Sequence, residues 1–326
     1  MKTKHLLLLV LATVLLSGSA IAQPAIEMFC TSNQQYVAEA KSRTWLVQAV
    51  EEDPQIIKEI GKKNPATLAK YQKDIATANE TLVKVVSEHW NLTSEKPEIK
   101  TAKEIQELTK GSEGEKYALL WINRFVKVTP APKKAQVKSK SSKPKPIKEE
   151  AILSMRLAGN GYRHIGAVNL PSAQPTEAEL LVALNLLENH ILLRENSSSH
   201  TAFEDGIRDN AALLKEKTLL VPKNAVPKSL TEEQLKEMYP YDVRFAEMAE
   251  IEKALTNREK DVCVIQTLPA YGGARPVNMQ LVINAEDGKL LARSVPAAGV
   301  TVRGPIKDVL KKEHFQDFLE FASEQN

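Results

Sequence analysis

Cysteine is scarce: the chain of 326 residues holds two, Cys30 and Cys263. So few thiols exclude a disulfide framework and every zinc site built on paired cysteines. The six histidines are scattered, and no H-E-x-x-H pattern places two of them on one helix face. A nucleophile elbow and a Walker loop are both missing. The stretch Gly159-Asn160-Gly161 departs from the dinucleotide fingerprint in its spacing, and Pro171 follows it where that motif needs a helix. Long apolar runs are also lacking beyond Leu6–Leu16, which is too short to span a bilayer. Aromatic residues make up 5% of the chain, and none interleaves with its densest run of lysines, which argues against base stacking and nucleic acid.

Lys2, Lys4 and His5 precede the apolar run, and Ala20-Ile21-Ala22 supplies a small-residue cleavage pattern. Residues 1–22 therefore read as a signal peptide, and the protein as exported to the periplasm or outside the cell, with no transmembrane segment in the mature chain. Residues 129–148 carry seven lysines, four prolines, three serines and no acid. That composition predicts an extended, solvated linker, and the basic overall balance (net charge +3) reports on it. Outside the signal and linker, 35 basic residues face 41 acidic ones, so no basic face remains for nucleic acid.

The expected architecture is α+β: a helical domain over 23–128, the flexible linker, and a domain over 149–326 with an antiparallel sheet and packed helices. In the first part, Tyr36, Val37, Ala40, Thr44 and Val47 form an apolar line at helical spacing. Asp53-Pro54 opens a short helix ended near Gly61, and Asn64-Pro65 a long one to Trp90. Ala102–Thr109 makes a further short helix. The segment from Lys116 to Val128 fits strand and helix equally, and the need to close a helical bundle favours helix.

In the second part, Asn160-Gly161 predicts a hairpin joining Ile152–Ala158 to Tyr162–Leu170. Thr176 and Glu179 form a capping box before Leu180–Leu193, a helix apolar on most sides that must be buried or covered. A helix over Thr201–Lys215, a strand at Thr218–Val221, a helix at Glu232–Met238 capped by Thr231 and Gln234, and a strand at Tyr241–Phe245 follow. The best-defined unit is Ala246–Ser294. A short helix, the strand Asp261–Leu268 with two apolar faces, and the strand Val277–Asn284 turn back through Asp287-Gly288. The chain closes on an amphipathic helix expected over Ile306–Glu324.

A helix, two strands and then Val-Ile-Asn-Ala-Glu-Asp-Gly-Lys-Leu-Leu (Val282–Leu291) resembles the end of PepSY-type modules of bacterial secreted and propeptide proteins. The resemblance covers residues 247–294 and implies a non-catalytic binding or inhibitory module, one that would act on a secreted protease.

Chemistry has few candidates. Cys30 and Cys263 either form a disulfide or stay as separate thiols, and the mid-strand place of Cys263 among apolar neighbours favours thiols. Glu188, His190, Glu195, His200, Glu204, Asp205 and Asp209 make the densest polar cluster. His190, His200, Glu204 and Asp209 are its candidate metal ligands, with His200 and Glu204 one helical turn apart. A solvated helix–loop–helix surface accounts for the same residues. No catalytic residue and no cofactor is assigned. The expected function is an exported, non-enzymatic protein that binds a protein or cell-envelope component. The alternatives are a metal-dependent hydrolase with its site near 188–209, and a PepSY-like protease inhibitor.

Overall fold

The computed structural model describes residues 34–54, 57–58, 65–127, 148–159, 161–196, 201–271, 276–294 and 309–323. The targeting segment, Cys30, much of the helix expected from Asp53-Pro54 to Gly61, most of the lysine-rich segment and His200 lie outside them.

The protein is α+β, with two mixed five-stranded sheets. Helix α1 (Gln34–Ser42) stops where the sequence turns to Thr44-Trp45-Leu46-Val47, side chains that favour a pleated surface and form β1 (Thr44–Gln48). The helical line expected through Val47 is thus cut at Ser42. Helix α2 (Pro65–His89) buries Ile75, Ala78, Leu82, Val85 and Val86 along one side, as its spacing requires. Then come β2 (Glu98–Lys100) and α3 (Ala102–Leu108), the latter opened by a Thr101–Glu104 capping box.

The segment expected as a closing helix is the strand β3 (Tyr117–Lys127). It runs parallel to β1 and antiparallel to β4 (Lys148–Leu157), so both of its edges are hydrogen-bonded and its continuous apolar run reads as an interior strand. The pairing Lys127↔Lys148 also corrects the place of the basic segment, which joins neighbouring strands of one sheet instead of two separate bodies. With β5 (Arg163–Leu170) the first sheet has the order β2-β1-β3-β4-β5.

The chain continues through α4 (Glu177–Asn196), α5 (Ala202–Asn210), β6 (Thr218–Pro222), α6 (Glu232–Met238), β7 (Val243–Ala246) and α7 (Met248–Thr256). The strands β8 (Val262–Tyr271), β9 (Pro276–Asn284) and β10 (Leu290–Ser294) and the helix α8 (Lys312–Ser323) complete it. The expected capping boxes form: Glu179 N donates to Thr176 Oγ1 at 3.3 Å, and Gln234 N to Thr231 Oγ1 at 3.3 Å. The described last helix is Lys312–Ser323, and just before it the backbone N of Leu310 donates to Ala225 O at 2.6 Å, while the start expected at Ile306 lies outside the described residues. The second sheet has the order β10-β9-β8-β6-β7 and is mixed, since β6 pairs in parallel with both β7 and β8.

The two sheets are copies of one plan. Each has a first strand flanked in parallel by its second and third, after which two further strands run antiparallel. Registers agree residue by residue. Thr44 faces Tyr117 as Thr218 faces Val262, and Ala118 faces Leu157 as Cys263 faces Asn284. Arg156 faces His164 as Ile283 faces Leu290, and one residue later each hairpin carries a β-bulge, at Ile165 and at Leu291. The residue before the first strand is a buried cation in both copies. Arg43 donates to Ala158 O at 2.7 Å, and Lys217 donates to Lys260 O and pairs with Glu286 at 3.4 Å. Thus Arg43-Thr44-Trp45-Leu46-Val47 corresponds to Lys217-Thr218-Leu219-Leu220-Val221, and the closing helices α4 and α8 correspond as well.

Helix α4 explains its all-round apolarity. Leu180, Leu184, Leu187 and Ile191 join one buried cluster with Trp45 and Leu120 of the first sheet and Val264 and Ile283 of the second. Asn189 of α4 donates to Gly288 O at 3.3 Å, fastening the helix to the β9–β10 turn. Helix α8 covers the far face of the second sheet, where Phe315 and Phe318 pack with Leu219, Val243 and Cys263. No helix among the described residues is long and apolar enough to cross a membrane.

Candidate functional site

The polar residues around 188–209 lie on α4 and α5, and the structure sends them to different partners. Glu188 is 3% exposed and accepts from the backbone N of Asn91 at 3.0 Å. Burial is the dominant influence on its carboxyl and lifts it from 4.5 to about 7, against the opposing pull of the Asn91 and Leu92 amides and the Arg258 charge. His190 is 1% exposed, with its ring 5.5 Å from that of Phe203. The Glu204 carboxylate pairs with the Arg293 guanidinium of β10, and both side chains are largely buried. Asp209 stands exposed at the end of α5. The expected ligand set is therefore not gathered around a point among the described residues, and His200 falls outside them.

The described residues that do bring carboxylates and an imidazole together are Glu88, His89 and Glu177, whose ligand atoms lie within 4.8 Å of one another. Two cations already occupy that ground. Lys84 Nζ sits 2.7 Å from Glu177, and Arg258 Nε donates to His89 Nδ1 at 3.3 Å. With Nδ1 accepting, the neutral ring carries its proton on Nε2, the nitrogen that faces Glu88 at 3.8 Å. Burial first, then the Arg258 charge, holds His89 below its usual value and keeps the ring neutral near pH 7. The arrangement is a charge-balanced seam between α2, α4 and the end of α7. Sequence reasoning missed Arg258 and Arg293, because both act across sheet and helix contacts that no local pattern encodes.

Cys263 is a free, fully buried thiol, pushed up to about 12 by burial. A thiolate nucleophile needs the opposite surroundings.

An apolar opening lies between α4 and α5, a half-enclosed cleft of about 250 Å³. Leu186, Leu193, Phe203, Ile207 and Leu290 form its walls, and Asn189, Asp209, Asn210 and Lys289 its rim. Gly206 lets α5 approach α4 closely beside it: a methyl group there would meet the Leu193 side chain at 2.7 Å. Leu192 and Leu193, at the end of an otherwise buried helix, are left half-buried.

No protein-family profile matches this chain, and comparison with curated proteins and with solved structures finds no match. The stretch resembling PepSY modules does form a helix and three antiparallel strands (α7, β8, β9 and β10). A free-standing inhibitory module needs an accessible sheet face. Here one face is buried with α4 and α7 and the other with α8, and β8 is tied in parallel to β6.

Proposed function

We propose that this is an exported, non-enzymatic binding protein whose partner is a protein or component of the cell envelope. The observation that carries the reading is the cleft between α4 and α5. Apolar walls with four polar groups at the mouth suit the capture of an apolar group from a partner, since walls supply affinity and rim groups orientation. The ionic groups near it serve packing: Glu204 is spent on Arg293 and Glu188 on Asn91. The signal-like start of the chain supports the location.

The test is site-specific photo-crosslinking in the native cell, with the reactive residue placed at Asn210 on the rim or at Lys236 on α6. A discrete adduct from position 210 and none from 236 is expected. No adduct from 210, or equal adducts from both, would remove the cleft as the binding site.

A further inference from the structure

The two sheets diverge at one point of their shared plan. In the first, β1 and β3 pair over five rows, from Thr44↔Tyr117 to Gln48↔Trp121. In the second, β6 and β8 pair over three, from Thr218↔Val262 to Leu220↔Val264. Yet β6 goes on beside β7 to Pro222, and β8 beside β9 to Tyr271. The row that would match Gln48 and Trp121 holds Pro222 and Gln266. A proline has no backbone N–H to give the ladder, so the two strands fork.

A pocket of about 270 Å³ opens at the fork, beside the starts of α4 and α7. Strands β7 and β8 flank β6 on opposite sides, both parallel to it, and the crevice of such a sheet lies outside the carboxyl ends of its strands. Pro171, Pro222 and Met248 give the pocket apolar surface, and Glu179, Asn224 and Gln266 give it polar groups. Gln266 is 7% exposed, and its side-chain amide takes part in no hydrogen bond with another described residue. A buried amide needs a partner, and the pocket is what this one lines. Its neighbour Thr267, by contrast, donates to Gln280 Oε1 at 2.7 Å.

Glu179 supplies the charge. It accepts from Thr176 N at 2.9 Å, and among the described residues no lysine or arginine pairs with it. Burial first holds its carboxyl above the ordinary value, against the Thr176 amide, and the charge of Glu252 on α7 adds to the rise. None of the residues lining the pocket is a cation. An acid without a counter-charge, a buried amide without a partner and apolar walls beside them complement an alkyl chain that ends in an ammonium group.

We propose that the fork pocket is a binding site for a primary alkylammonium group, which Glu179 neutralises and whose N–H groups donate to the side-chain carbonyls of Gln266 and Asn224. A small amine and the side chain of a lysine present the same head and stem. The pocket lies at the start of α4 and the cleft near its end, so the inference stands apart from the binding-protein reading and either can fail alone.

The test is calorimetric titration of the mature chain (residues 23–326) with n-pentylamine, with the capped peptide N-acetyl-Gly-Lys-Gly-amide and with 1-pentanol. Saturable binding of at least one of the two amines is expected, and none of pentanol. The amine that binds tells a small-molecule ligand from a lysine of a partner. Glu179→Gln should weaken binding about tenfold or more, since a charge-assisted hydrogen bond is lost. Glutamine serves a capping box as glutamate does, so α4 still starts correctly in this variant. Asp209→Asn at the cleft should leave the affinity unchanged. In the parent chain, the amine that binds should shift the side-chain amide resonance of Gln266 in nuclear magnetic resonance spectra, and not that of Asn189 at the cleft. No saturable binding of either amine, equal binding of pentanol, affinity indifferent to Glu179→Gln, or a shift at Asn189 in place of Gln266 would overturn the proposal.

Discussion

At the scale of single residues, Glu188 ties stability to pH. Its carboxyl is raised in the fold, so the folded state holds the proton more tightly than the unfolded chain does. The contribution is therefore fully present below pH 4.5 and is lost as the pH rises through about 7. The loss amounts to about 3 kcal/mol at pH 8. Urea denaturation of Glu188→Gln across pH 4 to 8 should show a flatter profile than the parent, with the variant the more stable of the two at pH 8. Gly288 is constrained in another way. Its φ of +70° is the left-handed region, and a methyl group there would meet Asn185 Nδ2 at 2.0 Å. Gly288→Ala should lower unfolding free energy by about 2–4 kcal/mol. The same methyl at Gly161, whose φ is +85° with open space around it, should cost only the backbone strain, about 1 kcal/mol. A smaller loss at 288 than at 161 would contradict the close docking of α4 on that turn.

At the scale of elements, α4 is the piece on which both sheets depend. Leu187 is 1% exposed in the cluster they share. Leu187→Ala should cost about 2–5 kcal/mol and raise amide exchange in strands of both sheets, β4 and β9 alike. Exchange confined to one sheet would mean that the cluster is two cores in contact. The Glu204–Arg293 pair is the second element-level fastening, joining α5 to the edge strand β10. Removing one partner of a buried pair leaves the other charge uncompensated, so Glu204→Gln should destabilise by about 3 kcal/mol. Thermal unfolding of the single and double variants would show whether Glu204→Leu with Arg293→Met recovers most of the loss.

At the scale of the whole molecule, the two copies are not equal partners. The second sheet borrows α4 from the first copy to cover its α7 face. A fragment beginning at residue 201 should therefore stay unfolded, and one beginning at residue 171, which keeps α4, should show cooperative unfolding by circular dichroism. Both fragments behaving alike would remove α4 from its role as shared cover. The outer ends differ from repeat arrays that grow by stacking. The described part of α8 buries Phe315, Phe318 and Ala322 on one side only, and the first sheet's outer face carries Arg156 and His164.

Much of the local structure was legible because short-range chemistry writes it. Capping boxes at Thr176 and Thr231, the Asp287-Gly288 turn, the two-faced strand at β8 and the all-round apolarity of α4 each depend on residues within a few positions. The α+β class followed from them. The strands β1 and β3 were not legible, since Thr44–Gln48 and Tyr117–Lys127 fit either period, and the choice was made by partners up to 73 residues away. The duplication also escaped, because the copies share register, bulges and a leading cation while their faces differ: Trp121 stands where the other copy has Gln266, and Arg156 where it has Ile283. For the same reason only the tertiary structure decided where charges go. Which acid meets Arg293, Arg258 or Lys84 is a matter of distance in space, and distance across packed elements is not a property of neighbouring residues in the chain.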